Sequence, residues 1–119
     1  MIIVQETDEA ILDVLKIALE MENFEFVSIL NYDQDFLDLI DQKRPHVVVL
    51  DYLLDGESSI QMCERIHEVY PHLPVIALSC NNNINEVYSK YGFDDYIKKP
   101  FDLDHLYAVL RKYIPKQVT

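Results

Sequence analysis

The stretch His46–Gly56 reads HVVVLDYLLDG. Four apolar residues, Val47 to Leu50, run straight into Asp51, and two more lead to a turn signal at Asp55-Gly56. A continuous β-branched and leucine run bounded by turn residues is the pattern of a strand buried on both faces, as in a parallel sheet. Asp51 then stands at the strand's carboxyl end. Open parallel sheets bind ligands outside the carboxyl ends of their strands. A carboxylate there is either a ligand group or a nucleophile. The plainer alternative is an aspartate that only caps a strand–loop junction, and the stretch by itself leaves both open.

On the amino-terminal side, IIVQ at residues 2–5 predicts a first strand, followed by the acidic turn Glu6-Thr7-Asp8-Glu9. Asp8 is placed to cap a helix running to about Met21, with Ile11, Leu15, Ala18 and Leu19 on one face. Asn23, which tolerates a left-handed backbone, closes it. Phe24 to Leu30 predict a second strand. A second helix starts at Asn31 or Asp33, with Phe36, Leu37, Leu39 and Ile40 inward and an outer row of aspartates that reads as a solvated face. Pro45 separates it from the central strand.

On the carboxyl-terminal side, Ser58 is a good cap for a third helix to about Tyr70, burying Ile60, Cys63, Ile66 and Val69. Pro71 and Pro74 bracket the turn into Val75–Leu78, a fourth strand ending at Ser79-Cys80. Asn81-Asn82-Asn83 is loop chemistry. A short fourth helix spans Ile84 to Tyr91 and stops at Gly92. Asp95 to Ile97 form a fifth strand leading to Lys98-Lys99-Pro100. Asp102 caps a last helix to about Tyr113, with Leu103, Leu106, Val109 and Leu110 inward. Five strand–helix alternations imply a parallel sheet with helices on both faces, joined by right-handed crossovers.

The chain has 119 residues, half of them hydrophobic, which suits one globular domain over residues 1–119. No apolar run approaches the roughly 20 residues of a membrane span, and no signal peptide is visible. Cys63 and Cys80 lack metal spacing and read as buried free thiols in a reducing, cytoplasmic setting. The net charge of −11 argues against direct nucleic-acid binding. That charge is uneven: residues 1–84 hold 16 acids and 4 bases, residues 85–119 hold 5 acids and 6 bases. The last third is therefore the less repulsive surface for an acidic partner.

Strand one leads to Glu6, strand three to Asp51, strand four to Ser79, and Lys99 follows strand five. If these strands are neighbours, the four groups meet at one edge. Clustered carboxylates invite a hard cation such as Mg²⁺. A lysine beside a hydroxyl receives phosphoryl oxygens, and an aspartate can itself accept the phosphoryl group. Singly, each has a dull reading: Glu6 a turn acid, Ser79 a strand-end hydroxyl, Lys99 a surface cation.

With those residues in view, the chain resembles the receiver domain of two-component response regulators over about residues 1–114. The resemblance rests on VVVLDYLLDG, ALS and DDYIKKPF in order and spacing. It implies a flavodoxin-like (βα)5 three-layer sandwich with a five-stranded parallel sheet of order 2-1-3-4-5. It also implies that Asp51 is the phosphoryl acceptor, that the backbone carbonyl of Leu53 is a metal ligand, and that Ser79 and Lys99 bind the phosphoryl group. Pro100 is then expected in a cis peptide. Tyr96 matches an aromatic that swings inward on activation; on its own it reads equally as a half-exposed strand aromatic.

The resemblance has gaps. The family's two adjacent acids after strand one are Glu6 and Thr7 here, or Gln5 and Glu6 if the alignment slips by one. Either way one carboxylate is missing. Glu6, Asp51 and Leu53 remain as the expected metal ligands, with Asp8 a candidate substitute, and Mg²⁺ binding is expected to be weakened. The segment from Ser79 to Lys99 is about two residues short, Asp55 stands where proline is common, and Ser59 stands where glycine is usual.

The function expected is phosphorelay signalling: a histidine kinase or phosphotransfer protein phosphorylates Asp51, and the face of helix four, strand five and helix five switches toward an output partner. Tyr88, Tyr91, Tyr96, Tyr107 and Lys98 are expected on that face, which is also where a homodimer would form. The alternative is a pseudo-receiver that binds partners without phosphorylation. An enzyme is disfavoured beyond slow self-catalysed phosphoryl transfer and loss. ETDE has the wrong sign for a flavin phosphate loop, and Leu53 stands where a haloacid-dehalogenase-type phosphatase needs a second aspartate. His46, His67, His72 and His105 are scattered and read as surface or helix-end residues.

Overall fold

The computed structural model describes residues 1–31, 35–52 and 57–115. In chain order these residues form β1 (Ile2–Gln5), α1 (Glu9–Met21), β2 (Phe26–Ile29), α2 (Phe36–Lys43), β3 (Val47–Tyr52), α3 (Glu57–Val69), β4 (Val75–Ser79), α4 (Ile84–Val87), β5 (Asp95–Lys98) and α5 (Leu103–Tyr113). The strands pair in parallel in the order β2-β1-β3-β4-β5. This is the expected flavodoxin-like architecture.

The period-two alternation of strand side chains divides the interior into two cores. Ile2, Val4, Val47 and Val49 face Leu12, Leu15, Ala18 and Leu19 of α1 and Leu106, Val109 and Leu110 of α5. Ile3, Val48, Leu50 and Tyr52 face Phe36 and Ile40 of α2, Met62, Cys63 and Ile66 of α3, and Ile84 of α4. Ile2, Ile3, Val48 and Leu50 are fully buried. Burying a side chain of this size contributes about 1.5–3 kcal/mol, which explains why β1 and β3 read as unbroken apolar runs.

Helix starts follow local hydrogen bonding. Asp8 Oδ1 accepts from the Ala10 and Ile11 amides at 2.9 and 3.2 Å, and Asp102 Oδ1 accepts from His105 at 2.7 Å. Such caps are typically worth ~1 kcal/mol. Asn23 has φ +59°, as expected; Arg44 at φ +49° ends α2 before Pro45 and was not foreseen.

Several expectations need correction. α3 begins at Glu57, so Ser58 lies inside the helix. Its inward stripe is Ser59, Met62, Cys63 and Ile66, continuing to half-buried Tyr70. Val69 is therefore left 55% exposed, and Ile60 is only half-buried. In α1, Leu12 joins the buried face and Ile11 packs at its margin. In α2, Phe36 and Ile40 are buried, while Leu37 and Leu39 are only partly so. Leu103 is 40% exposed because it opens α5 ahead of the stripe that begins at Leu106. Cys80 lies past the end of β4 and is exposed, unlike Cys63. β2 is shorter than expected, since Phe24 turns into the core against the Tyr107 ring. α4 is a single turn; the chain then passes through Tyr91→Val87 and Gly92→Ser89 backbone bonds instead of continuing the helix. α2 begins at Phe36 with Asp35 at its N-cap, later than the expected start at Asn31 or Asp33. Asp33 itself and the Asp55-Gly56 turn lie outside the described residues.

Two polar networks hold the amino-terminal ends of β4 and β5. His67 Nε2 donates to Asp94 Oδ2 and the Leu73 carbonyl, both at 3.1 Å, and the same Asp94 oxygen accepts from the Val75 amide. Asp95 Oδ2 accepts from Lys112 Nζ at 3.0 Å and Tyr113 Oη at 3.1 Å, tying β5 to the last turn of α5.

Burial pushes the Cys63 thiol up to about 12, with the negative charges of Asp94 and Glu64 adding to it. The folded state thus holds this proton longer than the unfolded chain does. Its contribution is complete below pH 9 and is lost as pH rises toward 12. We expect unfolding free energy, measured by urea titration, to decline above pH 9. Cys63→Ala should remove up to about 1.4 kcal/mol per pH unit of that decline. An unchanged slope in the variant would refute the assignment.

Candidate functional site

β1, β3, β4 and β5 stand side by side, so their carboxyl ends form one edge of the sheet. Glu6 is the first residue beyond β1. Asp51 is one residue from the end of β3, Ser79 ends β4, and Lys99 follows β5. The register pairs Asp51 with Leu78, Tyr52 with Ser79, and Ser79 with Lys98. Residues 93 positions apart in the chain are thereby brought into hydrogen-bonding distance.

Lys99 organises this edge. Its Nζ donates to Asp51 Oδ1 at 2.9 Å and to Glu6 Oε1 and Oε2 at 3.0 and 3.2 Å. The Lys99 side chain is 9% exposed and both carboxylates 1%. Burial raises the Glu6 carboxyl above its ordinary value, and the nearby Asp51 charge raises it further, while the Lys99 hydrogen bond holds it down. For Lys99, burial alone would lower the ammonium; the hydrogen bonds and charges of Asp51 and Glu6 outweigh it and lift the group above its ordinary value. The ammonium is therefore charged at neutral pH, with two carboxylates around it.

Asp51 is held from a second side by the Thr7 amide, which donates to Oδ2 at 3.2 Å. Ser79 is fully buried, and its Oγ accepts from the Asn81 amide at 2.9 Å. The Lys99 amide donates to the Ser79 carbonyl at 2.7 Å, and the Lys99–Pro100 peptide is cis. Glu6, Asp51, Ser79 and Lys99 thus share one edge, and Glu6 rather than Gln5 meets the lysine. Asp8 Oδ1 caps α1, and the Asp8 backbone amide hydrogen-bonds the Glu6 carboxylate. Leu53 lies outside the described residues.

Tyr96 is half-buried, its ring 5.0 Å from that of Tyr88 and tilted by 48°. Tyr88, Tyr91 and Tyr96 pack against the α2–α3–α4 core. Tyr107 is not with them. Its hydroxyl donates to the Ala18 carbonyl at 2.7 Å and its ring lies on the opposite core, so the expected tyrosine face loses this member. Gln5, which the sequence offers only as an alternative position in the acidic pair, is 3% exposed with its amide among site residues. The available signal was a polar residue closing an otherwise apolar strand.

The donor set bears on a cation. Mg²⁺ takes oxygen ligands and is often bound by only one or two carboxylates, keeping waters elsewhere. Glu6 and Asp51 fit as such a pair. Among the described residues no group of three or more His, Cys, Asp or Glu gathers to hold a metal.

A parallel 2-1-3-4-5 sheet with an aspartate, an acid, a hydroxyl and a lysine at its carboxyl edge defines a receiver domain. Residues 2–111 match the response regulator receiver domain family, and the chain belongs to that family. It is similar to the response regulator MprA of Mycolicibacterium vanbaalenii, with 30% identity over 112 residues, 92% of this chain and 48% of the relative. The chain spans about half the length of the curated relatives it matches. Among solved structures, the receiver domain of NtrX from Brucella abortus superposes with a TM-score of 0.80 at 28% identity, covering 98% of this chain and all of that one. The response regulator DrrB of Thermotoga maritima superposes at 0.74 with 28% identity, covering 95% of this chain and 51% of that one. The chain is a receiver domain of the two-component type, a regulatory domain of phosphorelay signalling. Domains of this class work between kinases and output domains. No helix among the described residues is long and apolar enough to cross a membrane.

Proposed function

We propose that residues 1–119 act as one receiver unit in which Asp51 accepts a phosphoryl group from the phosphohistidine of a kinase or phosphotransfer protein. One Asp51 carboxylate oxygen attacks phosphorus, the phosphorus–nitrogen bond breaks, and its electron pair leaves with the imidazole. The product is an acyl phosphate on Asp51. The observation that carries this reading is the Lys99 ammonium, 2.9 Å from Asp51 Oδ1 and nearly excluded from water. Charge developing on phosphoryl oxygens there meets a fixed positive group in a site of low dielectric. Ser79 supplies a hydroxyl donor on the neighbouring strand. Slow hydrolysis of the acyl phosphate resets the domain.

Glu6 and Asp51 would hold Mg²⁺, which when bound supplies further positive charge toward the phosphoryl oxygens. Thr7 stands where a second adjacent acid would strengthen that site. We therefore expect Thr7→Asp to tighten Mg²⁺ binding by about tenfold or more, read by isothermal titration calorimetry. An unchanged affinity would show that position 7 does not address the cation.

The added phosphoryl charge draws Lys99 and Ser79 toward it, and Tyr96 follows from its place on Tyr88. That shifts the equilibrium of the face carrying Tyr88, Tyr91, Tyr96 and Lys98 toward an output partner or a second copy. The reading is tested by intact-mass analysis after acetyl phosphate treatment with and without Mg²⁺. Gain of one phosphoryl group supports it. A folded protein that gains none under any condition would instead be a module that binds partners without phosphorylation.

A further inference from the structure

We propose that Gln5 is a positioning residue for the Asp51 acceptor, an inference that rests on the reading of Asp51 given above. Gln5 closes β1, which lies between β2 and β3, and it is 3% exposed. Its Oε1 accepts from the Asp51 amide at 3.2 Å. Its Nε2 donates to the Leu30 carbonyl at 2.8 Å and to Thr7 Oγ1 at 3.3 Å. Two of these partners leave no choice of direction, since a backbone N–H only donates and a carbonyl only accepts. The flipped amide would set donor against donor and oxygen against oxygen. The amide orientation is therefore determined by its surroundings, and Thr7 Oγ1 must be an acceptor.

The contacts close a ring. Gln5 holds the Thr7 hydroxyl, the Thr7 amide holds Asp51 Oδ2 at 3.2 Å, and the Asp51 amide returns to Gln5. Asp51 is thus gripped at its backbone and at one carboxylate oxygen, independently of Lys99 on the other oxygen. A buried amide is costly unless bonded, and an apolar residue would serve a strand at this position better. What the amide adds is placement. Displacing a reacting group by about 1 Å can cost on the order of 100-fold in rate.

The test uses Gln5→Met, which keeps side-chain length but makes none of these bonds, and Thr7→Val, which opens the ring from its exposed side and leaves the strand intact. Folding is checked by circular dichroism. Labelling by acetyl phosphate is followed by intact mass across acetyl phosphate concentrations, and exchange of the Asp51 amide by NMR. We expect the maximal labelling rate to fall about tenfold in both variants, with the half-saturating acetyl phosphate concentration unchanged. The Asp51 amide should exchange faster in Gln5→Met. A Thr7→Val protein and a folded Gln5→Met protein labelled at the rate of the unaltered chain would overturn the assignment of Gln5 alone. If Gln5→Met does not fold, the Thr7→Val rate decides. An unaltered chain that never gains a phosphoryl group on Asp51 would overturn the acceptor reading and this inference together.

Discussion

Asp51→Asn should abolish labelling by acetyl phosphate while leaving the fold intact. The asparagine side chain has the same shape, and its carbonyl oxygen can still accept from the Thr7 amide as Asp51 Oδ2 does at 3.2 Å. What it lacks is an anionic oxygen able to attack phosphorus. Among the described residues no neighbour is placed to take over. Glu6 is 1% exposed, and both its oxygens are engaged by Lys99 at 3.0 and 3.2 Å. One oxygen of Asp8 caps the start of α1. Intact-mass spectra of the two proteins, treated side by side, give the answer directly. A phosphoryl group that persists on the variant would place the acceptor elsewhere and remove the basis of the proposed function.

Lys99→Met should have the largest effect on stability. The substitution keeps the length of the stem and leaves Glu6 and Asp51 facing one another without a cation. Removing one partner of a buried ionic cluster typically costs about 3–5 kcal/mol, because the remaining charges stay desolvated and uncompensated. The sign of the pH dependence follows from Glu6. Its carboxyl is already raised above its ordinary value by burial, and losing the Lys99 hydrogen bond raises it further. An acid whose folded value lies above its unfolded value is stabilising below the unfolded value, and that contribution is lost as pH rises through the folded one. The variant should therefore regain stability as pH falls from 7 toward 5. Urea unfolding at both pH values measures this. A loss under 1 kcal/mol at pH 7, or a variant that weakens further on acidification, would contradict the view of Lys99 as the counter-ion of both acids.

Much of this site was legible because it depends on strand order and on a few residue types. A short apolar run into Asp51, bounded by turn residues, reads as a buried strand with a carboxylate at its rim. Alternation of strands and helices then brings Glu6, Ser79 and Lys99 to the same rim. What was less legible depends on rotation and length. Val69 and Tyr70 both fit an inward stripe on α3, and only the drift of a 3.6-residue turn decides that Tyr70 packs and Val69 does not. Tyr107 looked like one of a group of tyrosines, yet its place on α5 turns it to α1. Cys80 looked buried because β4 is apolar, but it lies one residue past the strand. Gln5 was hidden for a different reason: a polar residue at a strand end is ordinary, and its hydrogen bonds reach the backbone of β3 and of the residue after β2, which no local pattern displays.

The strand order has one more consequence, for the chain as it is made. β1 precedes the other four strands in the chain, yet it is interior to the sheet, and its pairing with β3 joins Ile2 to Val47. At the usual ~5–20 residues per second, roughly 2–9 s separate the two at the ribosome. During that interval β1 has only β2 beside it, and a two-stranded piece is marginal in water. One edge of the run Ile2-Ile3-Val4 is then an open template for mispairing. Pairing with Val47–Tyr52 closes that edge, so the strand that carries Asp51 is also the one that ends the exposure of β1.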